Sequence, residues 1–374
     1  MSVGERDATD RAFMAAALGL GRRRLGETAD NPAVGALVVL DGVVVGQGWT
    51  ERGGRPHAET LALRQAGEAA RGATLYVTLE PCSHQGRTPP CADAVIEAGL
   101  SRVVSAIEDP DVRVAGQGHA MLRCAGTDVT MGVCEADARR AHRGHILRAT
   151  AGRPTVTLKL AETADGFAAG EGGARLAITG PAANGLTHMM RAQHDAVMVG
   201  IGTARADDPL LTVRLPGLEH RKPVRVVLDP DFGLAASAGS RLAASAHDAP
   251  VLAIGAANAG PEPESMLRGR RIDTLRVATR GDGGLDLAAA LRALAARGHS
   301  RVFSEGGPRV AASLMAEGLA DEVVLFTAPQ ALGRAGVRAL SSASRAVLDD
   351  PGRYILVSDD HVGPDRMRVY ERVW

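Results

Sequence analysis

His57 and Glu59 stand two residues apart in PHAETLAL (56–63), and Cys82 and Cys91 follow in TLEPCSHQGRTPPC, each directly after a proline. Hydrolytic zinc needs a position open to water, so three protein ligands are expected rather than four. One histidine and two cysteines supply that number, and two thiolates with a neutral imidazole cancel the charge of Zn²⁺. A water held this way is acidified less than by three histidines, so a neighbouring base is useful. Glu59 can be that base. Proline suits the first position of a helix, and a helix N-terminus lowers the pKa of a thiol. The eight residues between the cysteines include Gly86, Pro89 and Pro90 and cannot continue a helical turn. They predict a loop beside the metal, able to carry His84, Arg87 and Thr88 toward a substrate. H-x-E followed by P-C-x-x-C is the signature of zinc nucleobase deaminases; here the first half is intact and the cysteine spacing is wider. A four-cysteine site using Cys124 and Cys134 would leave His57 and Glu59 without a role, so these two cysteines read as small core residues.

A second candidate site lies in FSEGGPRVAASL (303–314), where a strand ends in two glycines and Pro308 opens a helix. Free N–H groups and the helix dipole make such a turn a phosphate site, and glycine lets a ligand approach the backbone. A tight strand-to-helix connection gives the same pattern. It is not the G-x-G-x-x-G fingerprint. Arg191, Arg205 and Arg214 flank a turn rich in Gly and Asp, and arginine suits bidentate phosphate recognition. Taken alone, these residues point to a site for an anionic ligand.

The elements that must position these groups alternate. A helix capped by Thr9 runs to about Arg24, and two strands follow, joined at Asp41-Gly42. Helices are expected from about His57 to Ala70, near Cys91 and over GHAMLRCAG, with strands at ATLYVTLEP, RVVSAIED and TDVTMG. Residues 135–153 read as a solvated basic helix and a linker, with a domain boundary near 149–153. Beyond it, seven strands are expected, from PTVTLKLAE to DEVVLFTA, with helices at PAANGLTHMMRAQ, LDLAAALRALAARG and PRVAASLMAEG. The Ala/Ser/Gly-rich stretch 232–248 reads as a surface excursion. Alternation of this kind implies layered α/β domains, and 374 residues suggest two of them.

The chain is 45% hydrophobic with zero formal net charge, which gives no electrostatic footprint for nucleic acid or a membrane surface. Aromatics are only 3%, leaving few rings for base stacking. The N-terminus does not read as a secretory signal, and no apolar run is long enough to span a bilayer. Four cysteines are too few for a disulfide scaffold, and clustered Cys and His fit metal in a cytoplasmic protein.

NPAVGALVV, PHAE and TLEPCSHQGRTPPC make residues 9 to about 148 resemble the deaminase domain of the bifunctional riboflavin-biosynthesis deaminase/reductases. Residues 154 to about 372 resemble the reductase half, through LKLAETADG, MMRAQHDAVMVGIGTARADDPLLTVR and SEGGP. The resemblance implies a cytidine-deaminase-like three-layer α/β domain over 1–150 and a dihydrofolate-reductase-like domain over 151–374. It implies zinc on His57, Cys82 and Cys91, Glu59 as catalytic acid/base, and substrate contacts from Asn31, His84 and Arg87. For the reductase it implies NADPH bound by Ala161, Ala177, Thr203, Asp207, Gly307, Pro308, Arg309, Val310, Ala311, Ala312 and Ser313. Substrate contacts there fall to Arg175, Arg191, Leu211, Arg214 and Glu305. Two stretches depart from the family pattern. Thr50 stands where a histidine is common, and Arg175-Leu176-Ala177-Ile178-Thr179 replaces Ser-x-Trp-Ile-Thr. The implied partners are a phosphorylated pyrimidine and further copies of the same chain. Two other readings use the same residues: a nucleic-acid deaminase with an appended domain, and a zinc-dependent regulatory module. Neutral charge, scarce aromatics and the wide cysteine gap speak against the first. Glu59 speaks against the second, since a structural zinc site has no use for a proton carrier.

Overall fold

The computed structural model describes residues 3–374 apart from 87, 88, 113 and 238. The chain divides into two compact units, Met1–Gly152 and Arg153–Trp374.

In the first unit the order is α1 (Val3–Arg22), β1 (Gly35–Leu40), β2 (Val43–Trp49), α2 (Ala58–Ala66), β3 (Thr74–Val77), α3 (Cys91–Glu97), β4 (Arg102–Ser105), α4 (Gln117–Cys124), β5 (Asp128–Met131), α5 (Glu135–Ala141) and α6 (Arg143–Ala151). The sheet runs β2-β1-β3-β4-β5, antiparallel through the first three strands and parallel from β3 onward. The β1–β2 hairpin turns at Asp41 and Gly42, both at positive φ (51° and 79°), as a tight two-residue turn requires. Gly35 faces α1, while Gly48, paired with Ala36 on the opposite face, meets α2. Helices therefore cover both faces of the sheet. The α2 contact is backbone-close: a Cβ on Gly48 would lie 2.0 Å from the Ala58 carbonyl oxygen, and one on Gly46 would lie 2.1 Å from that of Ala62. These two glycines let α2, which begins beside His57, sit directly on the sheet. Asp10 of α1 forms a buried two-pronged pair with Arg102 of β4 at 2.8 and 2.7 Å and accepts the Tyr76 hydroxyl at 2.8 Å.

Three readings of this unit need correction. The first helix begins at Val3, and Thr9 does not cap it; its hydroxyl donates back to the Glu5 carbonyl at 2.9 Å. Cys124 is exposed and so is not a core residue, while Cys134 is half-buried against the edge of the core. Residues 135–151 form two packed helices, with His142, Gly144 and Leu147 buried, rather than one solvated helix and a linker.

The second unit contains β6 (Thr155–Glu162), β7 (Phe167–Gly170), α7 (Pro181–Ala192), β8 (Ala196–Gly200), α8 (Ile201–Asp207), β9 (Val224–Leu228), α9 (Arg241–Ala244), β10 (Val251–Ala256), α10 (Pro261–Gly269), β11 (Asp273–Val277), α11 (Leu287–Ala296), β12 (Arg301–Ser304), α12 (Pro308–Ala316), β13 (Glu322–Thr327), β14 (Gly336–Arg338), α13 (Ser342–Asp349), β15 (Tyr354–Val362) and β16 (Asp365–Arg372). Its main sheet has nine strands in the order β11-β10-β9-β8-β12-β6-β13-β16-β15, parallel through β13 and antiparallel over the last two. The seven expected strands are the parallel ones, and their near-continuous Val/Ile/Leu runs are what double-sided burial demands. The β15–β16 hairpin carries exposed Ile355, Leu356 and Val357 on an outer strand, so it lacks the alternation that flags a half-buried strand. Stretch 232–248 is not a surface excursion. Phe232, Leu234, Leu242, Ala243 and Ala246 are buried in a core shared with Val197, Val227 and Phe303.

Candidate active sites

The first site collects at the ends of α2, α3 and β3. His57 is the residue before α2, in extended conformation, and Cys91 is the first residue of α3, with Pro90 before it. Cys82 lies on the segment leaving β3 and accepts the Cys91 backbone N–H at 3.3 Å. His57 Nδ1 is 3.3 Å from Cys91 Sγ and 3.7 Å from Cys82 Sγ. Ligands at usual zinc bond lengths and tetrahedral angles stand roughly 3.5 Å apart. The donor set also asks for a cation. Hydrogen bonding from Cys91 draws the Cys82 thiol down to about 4, while the same contact and burial push Cys91 well above the ordinary thiol range. Two sulfurs this close cannot both be thiolates unless positive charge lies between them.

Glu59 sits in the first turn of α2, 4% exposed, with its carboxyl meeting the Cys91 thiol. Burial pushes it up to about 7, against the opposing charge of His57. Glu59, His57 and Cys82 open onto a cavity of about 590 Å³ that Asn31 and His84 also line. Arg87 falls outside the described residues. Thr50 lines the cavity too, but its hydroxyl is occupied by fold contacts, donating to the Pro32 carbonyl and accepting the Val34 N–H.

Sequence reasoning missed the contribution of α6. His145 and Arg148 line the same cavity, His145 Nε2 lying 3.0 Å from Asp109 Oδ1 and Arg148 donating to the Asp30 carbonyl at 2.7 Å. Nothing in the spacing of a basic helix says which of its charges meet a cleft. Glu80, Glu108 and His119 form another group whose potential ligand atoms lie within 4.8 Å of one another. The Glu80 oxygens already accept the N–H groups of Asp109, Gly116 and His119, which makes Glu80 a brace for the cavity wall.

The second site is built where α7, α8 and β12 end. Arg191, late in α7, makes a two-pronged bond to Glu305, just beyond β12, at 2.5 and 2.9 Å. A third bond, to the Thr212 carbonyl at 3.0 Å, ties this pair to the loop after α8. Burial opposes the charge on Glu305, but Arg191, with Lys159 behind it, holds the carboxyl below its usual range. That loop places Leu211, at φ 54° and 2% exposed, and Arg214 in one cleft of about 340 Å³ with Arg175, Asp207 and Arg191. Arg175 and Asp207 approach to 3.8 Å. Five of the expected residues thus share one cleft, and Glu305 joins them through Arg191.

The glycine turn is the cap of α12. Gly307 precedes Pro308 and offers no side-chain cap, so the first N–H groups of α12 have no side-chain acceptor from that residue. A Cβ on Gly307 would lie 2.7 Å from Thr203 Oγ1, which brings the turn against α8. Arg309, Val310, Ala312 and Ser313 continue the helix, whereas Ala311 is fully buried and offers only backbone. Ala161 is packed beside Ala183 and Phe326, and Ala177 is exposed on the segment before α7. An open N-terminus at a glycine turn fits a dinucleotide phosphate. Lys159 is the residue the sequence reading passed over: it is half-buried, within electrostatic reach of Glu305, Arg191 and Asp365, and desolvation lowers its pKa. A lysine among strand residues was the available signal.

Residues 154–348 match the family model described as RibD C-terminal domain, and residues 7–107 match the cytidine and deoxycytidylate deaminase zinc-binding region. The chain is 41% identical to riboflavin biosynthesis protein RibD of Aquifex aeolicus, over 87% of this chain and 88% of that protein. It is 36% identical to RibD of Escherichia coli, over 95% and 97% of the two chains. The solved structure of Acinetobacter baumannii RibD superposes with a TM-score of 0.85 at 33% identity, covering 98% of this chain and all of that one. A Thermotoga maritima structure, titled a diaminohydroxyphosphoribosylaminopyrimidine deaminase/5-amino-6-(5-phosphoribosylamino)uracil reductase, gives 0.83 at 32% identity over 98% and 100%. Two units, a His-Cys-Cys cluster beside a buried glutamate in one and an arginine-rich cleft beside a glycine turn in the other, go with these similarities: the chain belongs to the RibD family of riboflavin-biosynthesis enzymes.

Proposed function

We propose that the two reactions of this bifunctional enzyme are divided between the units, deamination by residues 1–150 and reduction by residues 151–374, with the side chains described above as their machinery. The enzyme deaminates 2,5-diamino-6-(5-phosphoribosylamino)pyrimidin-4-one and reduces the ribosyl group of the product to ribityl with NADPH. The observation that carries the assignment of the first site is the buried Glu59 carboxyl against the His57-Cys82-Cys91 cluster. His57 Nδ1 and the two sulfurs hold Zn²⁺, which supplies Lewis acidity that makes water a nucleophile near neutral pH. Glu59 would take one proton from the attacking water and pass it to the ring nitrogen. It would then carry the second, from the added hydroxyl, to the amine, which departs as ammonia while the oxygen stays as the carbonyl. Its burial suits the work, because a carboxyl near 7 both accepts and returns a proton at physiological pH. Asn31, His84 and Arg87 orient the pyrimidine.

In the second unit NADPH supplies hydride. The open turn at Gly307 and the α12 backbone to Ser313 hold its phosphates, with Thr203 and Asp207 alongside. Arg191, Leu211 and Arg214 position the phosphosugar, and Glu305 fixes the Arg191 fork. Arg175 takes the place of a family hydroxyl by offering a charge to the same anion. Lys159, whose pKa is lowered by desolvation beside Glu305 and Arg191, would give the proton to the sugar oxygen as the carbon accepts hydride. Self-association belongs to the same reading. Outer strand β15 exposes Ile355, Leu356 and Val357, which a second copy would cover.

Mass spectrometry of products after incubation with and without NADPH tests the whole assignment. Without cofactor the deaminated ribosyl compound should accumulate, and with it the ribityl compound should form. Ribityl product from a chain that cannot deaminate supplied substrate would overturn the order of events.

A further inference from the structure

We propose that Arg241, carried into the reductase cleft by the segment around α9, is a further arginine for the phosphate monoester of the sugar substrate, acting beside Arg214. This rests on the reading of the 340 Å³ cleft as the substrate end of the reductase. Four guanidiniums, those of Arg175, Arg191, Arg214 and Arg241, line that cleft. Three carboxylates stand against them: Glu305 is engaged by Arg191, Asp207 lies 3.8 Å from Arg175, and Asp208 accepts the Arg241 backbone N–H. The arginines still outnumber the carboxylates, and a net positive cleft suits a phosphate monoester, which carries about −1.5 to −2 at neutral pH. Among the described residues neither the Arg214 nor the Arg241 guanidinium forms an ion pair with a carboxylate. Burial, Arg191 and Arg241 together disfavour the charge on Arg214, and the first two also act, with Arg214, against a charge on His188. Folding gathers like charges at a cost that an anion relieves.

The segment that brings Arg241 is held firmly. Its neighbours Leu242 and Ala243 are buried in the core, so the backbone at 241 is fixed although the guanidinium is exposed. The Arg241 N–H donates to Asp208 Oδ1 at 2.7 Å, pinning it to the loop that carries Leu211 and Arg214. Behind them, fully buried Arg225 of β9 donates both to the Leu210 carbonyl at 3.1 Å and to the Ser245 hydroxyl and carbonyl at 2.7 and 3.0 Å. One guanidinium thus clamps the cleft loop and the α9 segment together. Such anchoring presets Arg241 for a ligand and leaves its head group free to engage one.

The phosphate could belong to the substrate or to the 2′ position of the cofactor, and steady-state kinetics of the full-length protein separate the two. Arg241→Gln should raise KM for 5-amino-6-(5-phosphoribosylamino)uracil by roughly 10- to 100-fold, the range for one charge-assisted contact. It should leave KM for NADPH and KM for the dephosphorylated substrate unchanged, and Arg241→Lys should recover part of the loss. An unchanged KM for the phosphorylated substrate overturns the proposal. So does a rise confined to NADPH, or an equal rise for both forms of the substrate. Arg214→Gln, run in parallel, tests the underlying reading: if it raises KM for the phosphorylated substrate and Arg241→Gln does not, only the proposal fails. If neither does, the reading of the cleft fails with it.

Discussion

Arg191 and Glu305, 114 positions apart in the chain, meet as a two-pronged ion pair at 2.5 and 2.9 Å, each side chain about nine-tenths buried. The pair joins the end of α7 to the end of β12 and, through the Thr212 carbonyl, to the loop bearing Leu211 and Arg214. Removing one partner of a buried pair strands the other's charge, which costs about 3–5 kcal/mol. Glu305→Gln leaves Arg191 and Lys159 facing a neutral amide. We therefore expect a loss of that order in urea denaturation of the second unit, with reductase activity abolished and deaminase activity retained.

One zinc per chain is expected on His57, Cys82 and Cys91. Elemental analysis of Cys82→Ser and Cys91→Ser should show most of the metal gone. Cys124→Ser should keep it, because Cys124 is exposed and lies outside the cluster. Full zinc in both cluster variants would refute the ligand assignment.

Glu59→Gln preserves shape and removes the proton carrier, an effect typically worth about 10²–10⁴-fold in rate. Ammonia release should fall by that factor while supplied deaminated substrate is still reduced. Failure of the variant to reduce that compound, in a folded protein, would show that the two sites are not independent.

At the glycine turn, Gly307→Asp places a side chain 2.7 Å from Thr203 Oγ1 and a carboxylate where cofactor phosphate belongs. Reduction should be lost and deamination kept. Mixing this variant with Glu59→Gln should restore the two-step conversion if the intermediate diffuses, and product formation by the mixture is the measurement.

His194 gives the second unit a pH-dependent stability. Its ring is buried between the Met190 carbonyl and the Thr157 hydroxyl, at 2.6 and 3.1 Å, and burial lowers its pKa to about 3. The unfolded chain binds a proton at this ring below about 6.5, and the folded chain does not. The contribution is therefore complete above 6.5 and is lost as pH falls toward 3, amounting to about 2 kcal/mol at pH 5. Between pH 8 and pH 5, His194→Gln should lose correspondingly less stability than the parent in denaturant titrations. Equal losses would mean the ring is protonated in the native state.

The local chemistry was legible before the fold. PHAE and the Pro90-Cys91 step mark helix starts that the structure has, because such starts are properties of short stretches. Cys82, expected at another helix start, instead lies on the segment leaving β3 and joins the cluster only through the fold. The seven parallel strands were legible for a similar reason: burial on both faces leaves a continuous apolar run. Tertiary structure alone decided what meets across distance. His145 and Arg148 looked like solvent charges until α6 packed along the first cavity. Lys159 was one polar residue in a strand until the fold brought Glu305 and Asp365 within electrostatic reach. The stretch 232–248 looked like surface because Ala, Ser and Gly carry little pattern. Its burial depends on Phe232 and Leu242 finding Val197 and Phe303, and its role in the cleft depends on Arg225 reaching both loops from beneath. Periodicity reports which face of an element is apolar. Only the packed chain determines which charges share a cavity, because that is set by contacts between residues far apart in sequence.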